Sequence, residues 1–130
     1  MNPKQREYFD RQVDWVVERL PKPVQRMLET IPLHVEDRPS RRQMKELRID
    51  HPNDLCGCFV GVAEGLQHSV QATTPTFITI FRCGIFDAAA DEEGYFDRAD
   101  LREQIRVTIL HELAHAVGID EEELEELGYG

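Results

Sequence analysis

Two histidines stand four residues apart in the last fifth of a 130-residue chain, with a glutamate beside the first: His111-Glu112-Leu113-Ala114-His115. On a helix each residue turns by about 100°, so His115 lies only about 40° around from His111. Residues at that spacing share one face, with Cβ atoms roughly 5–6 Å apart. Two imidazoles so placed can bind one zinc ion through bonds of about 2.0–2.1 Å. Glu112 falls about 100° from His111, beside the pair but out of line with it. From there a carboxylate can reach a metal-activated water without itself ligating.

Two imidazoles are not a complete site. A catalytic zinc usually takes three protein ligands and leaves a position for water. Gly118 can adopt a positive φ at little steric cost, which lets the chain double back toward the metal. Asp120 and Glu121 follow at once. Asp120 has a competing use as the N-cap of a last short helix, with Glu123 three residues on. Glu121 stands ten residues after His111, so the stretch reads His-Glu-x-x-His-x-x-Gly-x-x-Glu. Glu121 is the first candidate for the third ligand and Asp120 the second. The other acids between Asp120 and Glu126 are read as solvated, since carboxylates favour the positive end of a helix dipole.

The elements that must carry these residues can be placed from periodicity. The helix bearing both histidines is expected from about Arg98 to Val117, ended by Gly118 in a left-handed conformation. Leu110, Leu113, Ala114 and Val117 share one arc of it, with Thr108, His111 and His115 on the other side. Upstream, Phe9, Val13, Val16, Val17 and Leu20 space an amphipathic helix over Lys4–Leu20, closed by Pro21. Pro23 opens a short second helix through Val24, Met27 and Leu28. Pro32–Asp37 alternates as a strand, and Ser40–Leu47 reads as a short helix. Cys58–Val62 and Thr76–Phe81 read as strands, the latter aromatic and β-branched throughout. Glu64–Thr74 is expected as a loop or hairpin turn, and residues 87–97 as a polar connection. Helices, a small mixed sheet, then an active-site helix and a short final helix make a compact α+β fold, one domain over residues 1–130.

Composition narrows the partners. The formal net charge of −10 repels phosphate backbones and anionic lipid, so neither nucleic acid nor a membrane surface is expected. No stretch approaches the length of a transmembrane span, and the polar start MNPKQREYFDRQVDW carries no apolar signal core. Three cysteines, Cys56, Cys58 and Cys83, are an odd count for a disulfide framework. The expected setting is therefore cytoplasmic, with reduced thiols. The thiols are read as buried apolar residues rather than a second metal site. His34 and His68 lack partners at ligand spacing and His51 precedes Pro52 in a loop, so all three are read as ordinary surface or loop residues.

The ending resembles the zincin-like metallopeptidases, and within them the small single-domain bacterial mini-zincins. It shares their length, a zinc helix near the C-terminus, an acidic leucine-containing final helix and an aromatic-glycine end. The resemblance implies a zinc endopeptidase acting on a peptide or protein substrate. His111 and His115 would be zinc ligands, Glu112 the general base, and Glu121 would stand where the family commonly has Asp. Tyr129 matches the family's terminal aromatic. An extended substrate would lie along an edge strand, for which Thr76–Arg82 is the expected element. The third-ligand position is Glu where the wider metzincins have His or Asp, and no methionine follows the helix. The alternative is a zincin fold used without turnover, as a regulatory or protein-binding module that needs no metal.

Overall fold

The structure is a computed structural model. It describes residues 1–61 and 76–126, except for the side chains of Glu121, Leu124 and Glu125. The expected turn over Glu64–Thr74, His68 and Tyr129 lie outside the described residues.

Helix α1 spans Pro3–Glu18 and opens on a reciprocal cap. The Asn2 side chain accepts from the Gln5 N–H, and the Gln5 side chain accepts from the Asn2 N–H, each at 2.9 Å. It buries Phe9, Val13 and Val16, the face its spacing predicted. Helix α2 covers Lys22–Thr30 and strand β1 covers Leu33–Glu36. Helix α3, Arg41–Leu47, is capped by Ser40 and Gln43 in the same reciprocal way. A 3₁₀ turn at Pro52–Asp54 leads into β2, Gly57–Val60. Strand β3, Phe77–Phe81, passes directly into helix α4, Arg82–Ala89. Helix α5 runs Arg98–Val117 and α6 runs Glu121–Glu126. The architecture is α+β. Among the described residues no helix is long and apolar enough to cross a membrane.

The strands are ordered β1-β3-β2. β1 lies parallel to β3, pairing Leu33 with Ile78 and Val35 with Ile80. β2 lies antiparallel to β3, pairing Gly57 with Ile80 and Phe59 with Ile78. This corrects one expectation. Thr76–Arg82 was expected to be the edge strand open to a substrate, but β3 is the centre of the sheet, with both sides already bonded. Its burial agrees: Ile78, Thr79, Ile80 and Phe81 are all buried in succession, as only a strand covered on both faces can be. Among the described strands, the edge beside the histidine helix belongs to β2.

A second correction concerns α4, where strand character was expected to run through Arg82 and a connection to begin at residue 87. The helix was hidden by Gly84, a poor helix former. Its glycine is required by packing, because a Cβ there would overlap the Leu55 carbonyl oxygen.

One apolar core joins these elements. Phe9, Val13 and Val16 of α1 meet Ile78 and Ile80 of β3 and the stripe Leu101, Ile105, Ile109, Leu113 of α5. At the rim, Arg82 donates to both Asp10 oxygens at 3.0 Å and to Asp37 at 3.0 Å. Arg6 forks onto Asp37, closest at 2.7 Å. These pairs tie α1, the end of β1 and the start of α4 together.

Candidate metal centre

Helix α5 is fixed at both ends. Asp97 caps it, its Oδ1 accepting from the Asp100 N–H at 2.8 Å while Asp100 accepts from the Asp97 N–H at 3.1 Å. Gly118 ends it at φ 79°, ψ 27°, the left-handed terminator that the spacing called for. The Ile119 N–H then bonds back to the Ala114 carbonyl at 2.9 Å. The stripe from Leu101 to Leu113 anchors one side of the helix in the core and sets its rotation.

That rotation brings His111, Glu112 and His115 together. One imidazole nitrogen from each histidine and one Glu112 oxygen all lie within 4.8 Å of one another. The two rings are edge to face, with centroids 4.3 Å apart. Glu112 Oε1 lies 3.5 Å from His115 Nδ1. The three differ in burial: His111 is half-buried, His115 is exposed, and Glu112 is only 7% exposed. Burial pushes the Glu112 carboxyl up from the ordinary carboxylate range, and the charges of His115 and His111 oppose that rise.

What buries Glu112 is strand β2. Its first residue, Gly57, presses its bare Cα against α5. A Cβ there would lie 2.9 Å from Thr108 Cγ2 and 3.1 Å from Glu112 Cγ, and 3.0 Å from the Thr79 carbonyl oxygen behind. Thr108 is itself held, its hydroxyl donating to the Gln104 carbonyl at 2.7 Å. Two residues along, on the same face of the strand, Phe59 sets its ring edge to face against His115, with centroids 6.3 Å apart. Gly57 and Phe59 escaped sequence reasoning. The available signal was a glycine opening a strand, a mark of close backbone approach.

The remaining candidates are placed as follows. Asp120 is exposed, and its Oδ1 accepts from the Glu123 N–H at 2.8 Å, so it does the capping work read from its spacing. It is not part of the histidine group. Glu121 opens α6, but its side chain lies outside what the structure describes.

Cys56, Cys58 and Cys83 are free thiols. Cys56 Sγ donates to the Gly84 carbonyl at 3.6 Å, while Cys58 Sγ accepts from Gln43 at 3.8 Å. Burial, with help from the Glu112 charge, raises both thiols, Cys58 to about 11. Among the described residues no cysteine joins a group able to hold a metal. His34 stacks on Phe77 at 4.3 Å, and His51 Nδ1 accepts from the Asn53 N–H at 3.1 Å.

The donor set fits zinc. Two imidazoles at i and i+4 and a neighbouring carboxylate are the side chains that bind this borderline ion and serve the water beside it. A family model described as a zincin-like metallopeptidase matches residues 28–130. A comparison with curated proteins finds no match.

Proposed function

This chain belongs to the zincin-like metallopeptidases, and we propose that it is an endopeptidase whose zinc is held by His111, His115 and Glu121, with Glu112 as general base. The observation that carries this reading is the convergence of two imidazoles and a buried carboxylate within 4.8 Å on one helix. A carboxylate is kept in so dry a place only where a partner or a function retains it. Asp120 is engaged in capping α6, which favours Glu121 as the third ligand. The continuous core from Phe9 to Ala116 supports one domain over residues 1–130.

Zinc bound there would lower the pKa of its water towards about 7 and polarise the peptide carbonyl. Glu112 takes a proton at a carboxylate oxygen during attack and returns it to the leaving amine. Burial raises its proton affinity, the direction that helps a base hold a proton before passing it on. Gly57 and Thr108 keep its stem from swinging away. The free edge of β2, which pairs only with β3 among the described residues, offers backbone groups to an extended peptide.

Metal analysis by mass spectrometry tests the reading, on untagged protein purified without chelators. The expected result is one zinc per chain in the wild type and in Asp120→Ala, lost in Glu121→Ala. Glu112→Gln should keep zinc and abolish peptide hydrolysis. Zinc-loaded Glu112→Gln that cleaves at the wild-type rate would remove Glu112 from the mechanism. Wild-type protein that takes up no zinc would leave the metal-free binding module as the reading.

A further inference from the structure

We propose that Phe59 selects the substrate, favouring a large apolar side chain at one of the two residues that adjoin the scissile bond. This rests on the peptidase reading above and extends it from reaction class to substrate class.

The argument is one of faces. Alternate residues of a strand point to opposite sides of the sheet. On β2 the side toward α5 carries Gly57 and Phe59, and the other carries Cys58, under Gln43 of α3. Gly57 has no side chain, and its Cα is pressed against Glu112 and Thr108. Phe59 is thus the one β2 side chain beside the histidines, its ring against His115. The ring is only half-buried although it packs on the core. An extended peptide bonded to the edge of β2 that no other described strand occupies must send every second side chain to this same face. The side chain that arrives next to Phe59 also lies next to His115, and so beside the bond to be cut. There it covers the exposed part of an aromatic ring. An apolar side chain gains by that contact, while a charged one loses water with no counter-charge from Phe59.

The test compares peptides carrying Phe, Leu, Ala or Asp at each residue flanking the cleaved bond. Cleavage is followed with wild type, Phe59→Ala and Phe59→Leu. Binding is followed by fluorescence anisotropy with zinc-loaded Glu112→Gln, with and without the same substitutions. The expected wild-type preference is for Phe and Leu over Ala and Asp at one flanking position. Phe59→Ala should shrink the Phe-to-Ala ratio about tenfold, in the range for truncating an apolar pocket, with zinc stoichiometry unchanged. Phe59→Leu should move the preference from Phe toward Leu, which also decides the matter if Phe59→Ala does not fold. Ratios that stay the same in both variants would overturn the proposal. An equal loss on every peptide would do so too, making Phe59 only a support for the His115 ring. If no peptide binds to Glu112→Gln, the proposal fails. Selective binding to Glu112→Gln with no cleavage by the wild type would refute the hydrolytic reading, and with it the scissile-bond position, leaving Phe59 only as the selector of a bound peptide. Cleavage without selectivity would do the reverse.

Discussion

Gly57→Ala is the smallest change that tests whether β2 positions the candidate base. The added methyl would lie 2.9 Å from Thr108 Cγ2, 3.0 Å from the Thr79 carbonyl oxygen and 3.1 Å from Glu112 Cγ. Relaxed carbon contacts lie at about 3.5–4.0 Å, so some of these groups must give way by about half an ångström. Thr79 belongs to the central strand, bonded on both sides. Thr108 is held by its hydroxyl bond to Gln104. The Glu112 stem can move but relieves only the longest of the three contacts, so the Gly57 end of β2 must also shift away from Thr108 and Thr79.

Overpacking of this kind costs about 1–3 kcal/mol. Removing a glycine from the unfolded chain returns about 0.4–1 kcal/mol. The net loss is then about 1–2 kcal/mol, read as a melting temperature lower by roughly 3–8 °C for a chain of this size. Misplacing the proposed base by a fraction of an ångström should lower hydrolysis by about tenfold or more, with zinc retained. Calorimetry of the metal-free protein gives the first quantity, and metal analysis with peptide cleavage gives the second. A double-mutant cycle isolates the contact: in a Glu112→Ala background the methyl has one neighbour fewer, so its cost must fall. An unchanged melting temperature together with unchanged turnover would refute the packing argument. A full cost that persists without the Glu112 side chain would refute the part that concerns the base.

Gly118→Ala forces a side chain into φ 79° and should cost about 1–2 kcal/mol by thermal melting. It should also weaken zinc binding if Glu121 ligates, because the turn aims α6. Zinc at a hundredfold excess over its Kd should raise stability by about 2.7 kcal/mol, and a chelator should reverse the rise in calorimetry. Asp37→Asn addresses pH. The hydrogen bond from Arg6 holds the Asp37 carboxyl below the usual range, although its partial burial pushes the other way. A depressed carboxylate stabilises the fold above its unfolded pKa of about 3.9, and that stability is lost as the pH falls through the lower folded value. Asp37→Asn should thus be less stable than wild type by about 1–2 kcal/mol at pH 7, allowing for partial solvent exposure. The gap should close below about pH 4 in urea titrations.

Local rules carried the reading where local forces decide the outcome. The limits of α5 were legible because a periodic apolar stripe ends at a glycine, and Asp120 was legible as a cap from its distance to Glu123. The pairing of His111 with His115 followed from helical pitch alone. The central place of β3 did not, because strand propensity says nothing about which neighbours a strand acquires. Its run of aromatic and β-branched residues was the only hint. Gly84 concealed α4 because its lack of a side chain answers a contact with Leu55, far away in sequence. Glu112 was correctly set beside the histidine pair, but its burial depends on Gly57, which no reading of α5 could supply. The grouping of side chains within one helix was visible, and what holds that group in place across elements was not.

The central position of β3 also bears on how the chain folds. Among the described strands, β1 and β2 make no bond to each other, and each joins the sheet only through β3. Leu33 waits for Ile78, and Gly57 for Ile80, across long intervening stretches. Even the nearest described partners, Val60 and Phe77 of the antiparallel pair, are joined by a long connection, so the entropy of closing those loops is met before any pairing rewards it. The sheet should therefore form late and all at once, around a helical core already in contact. The pocket for Glu112, built from β2 against α5, would take shape in that same final event.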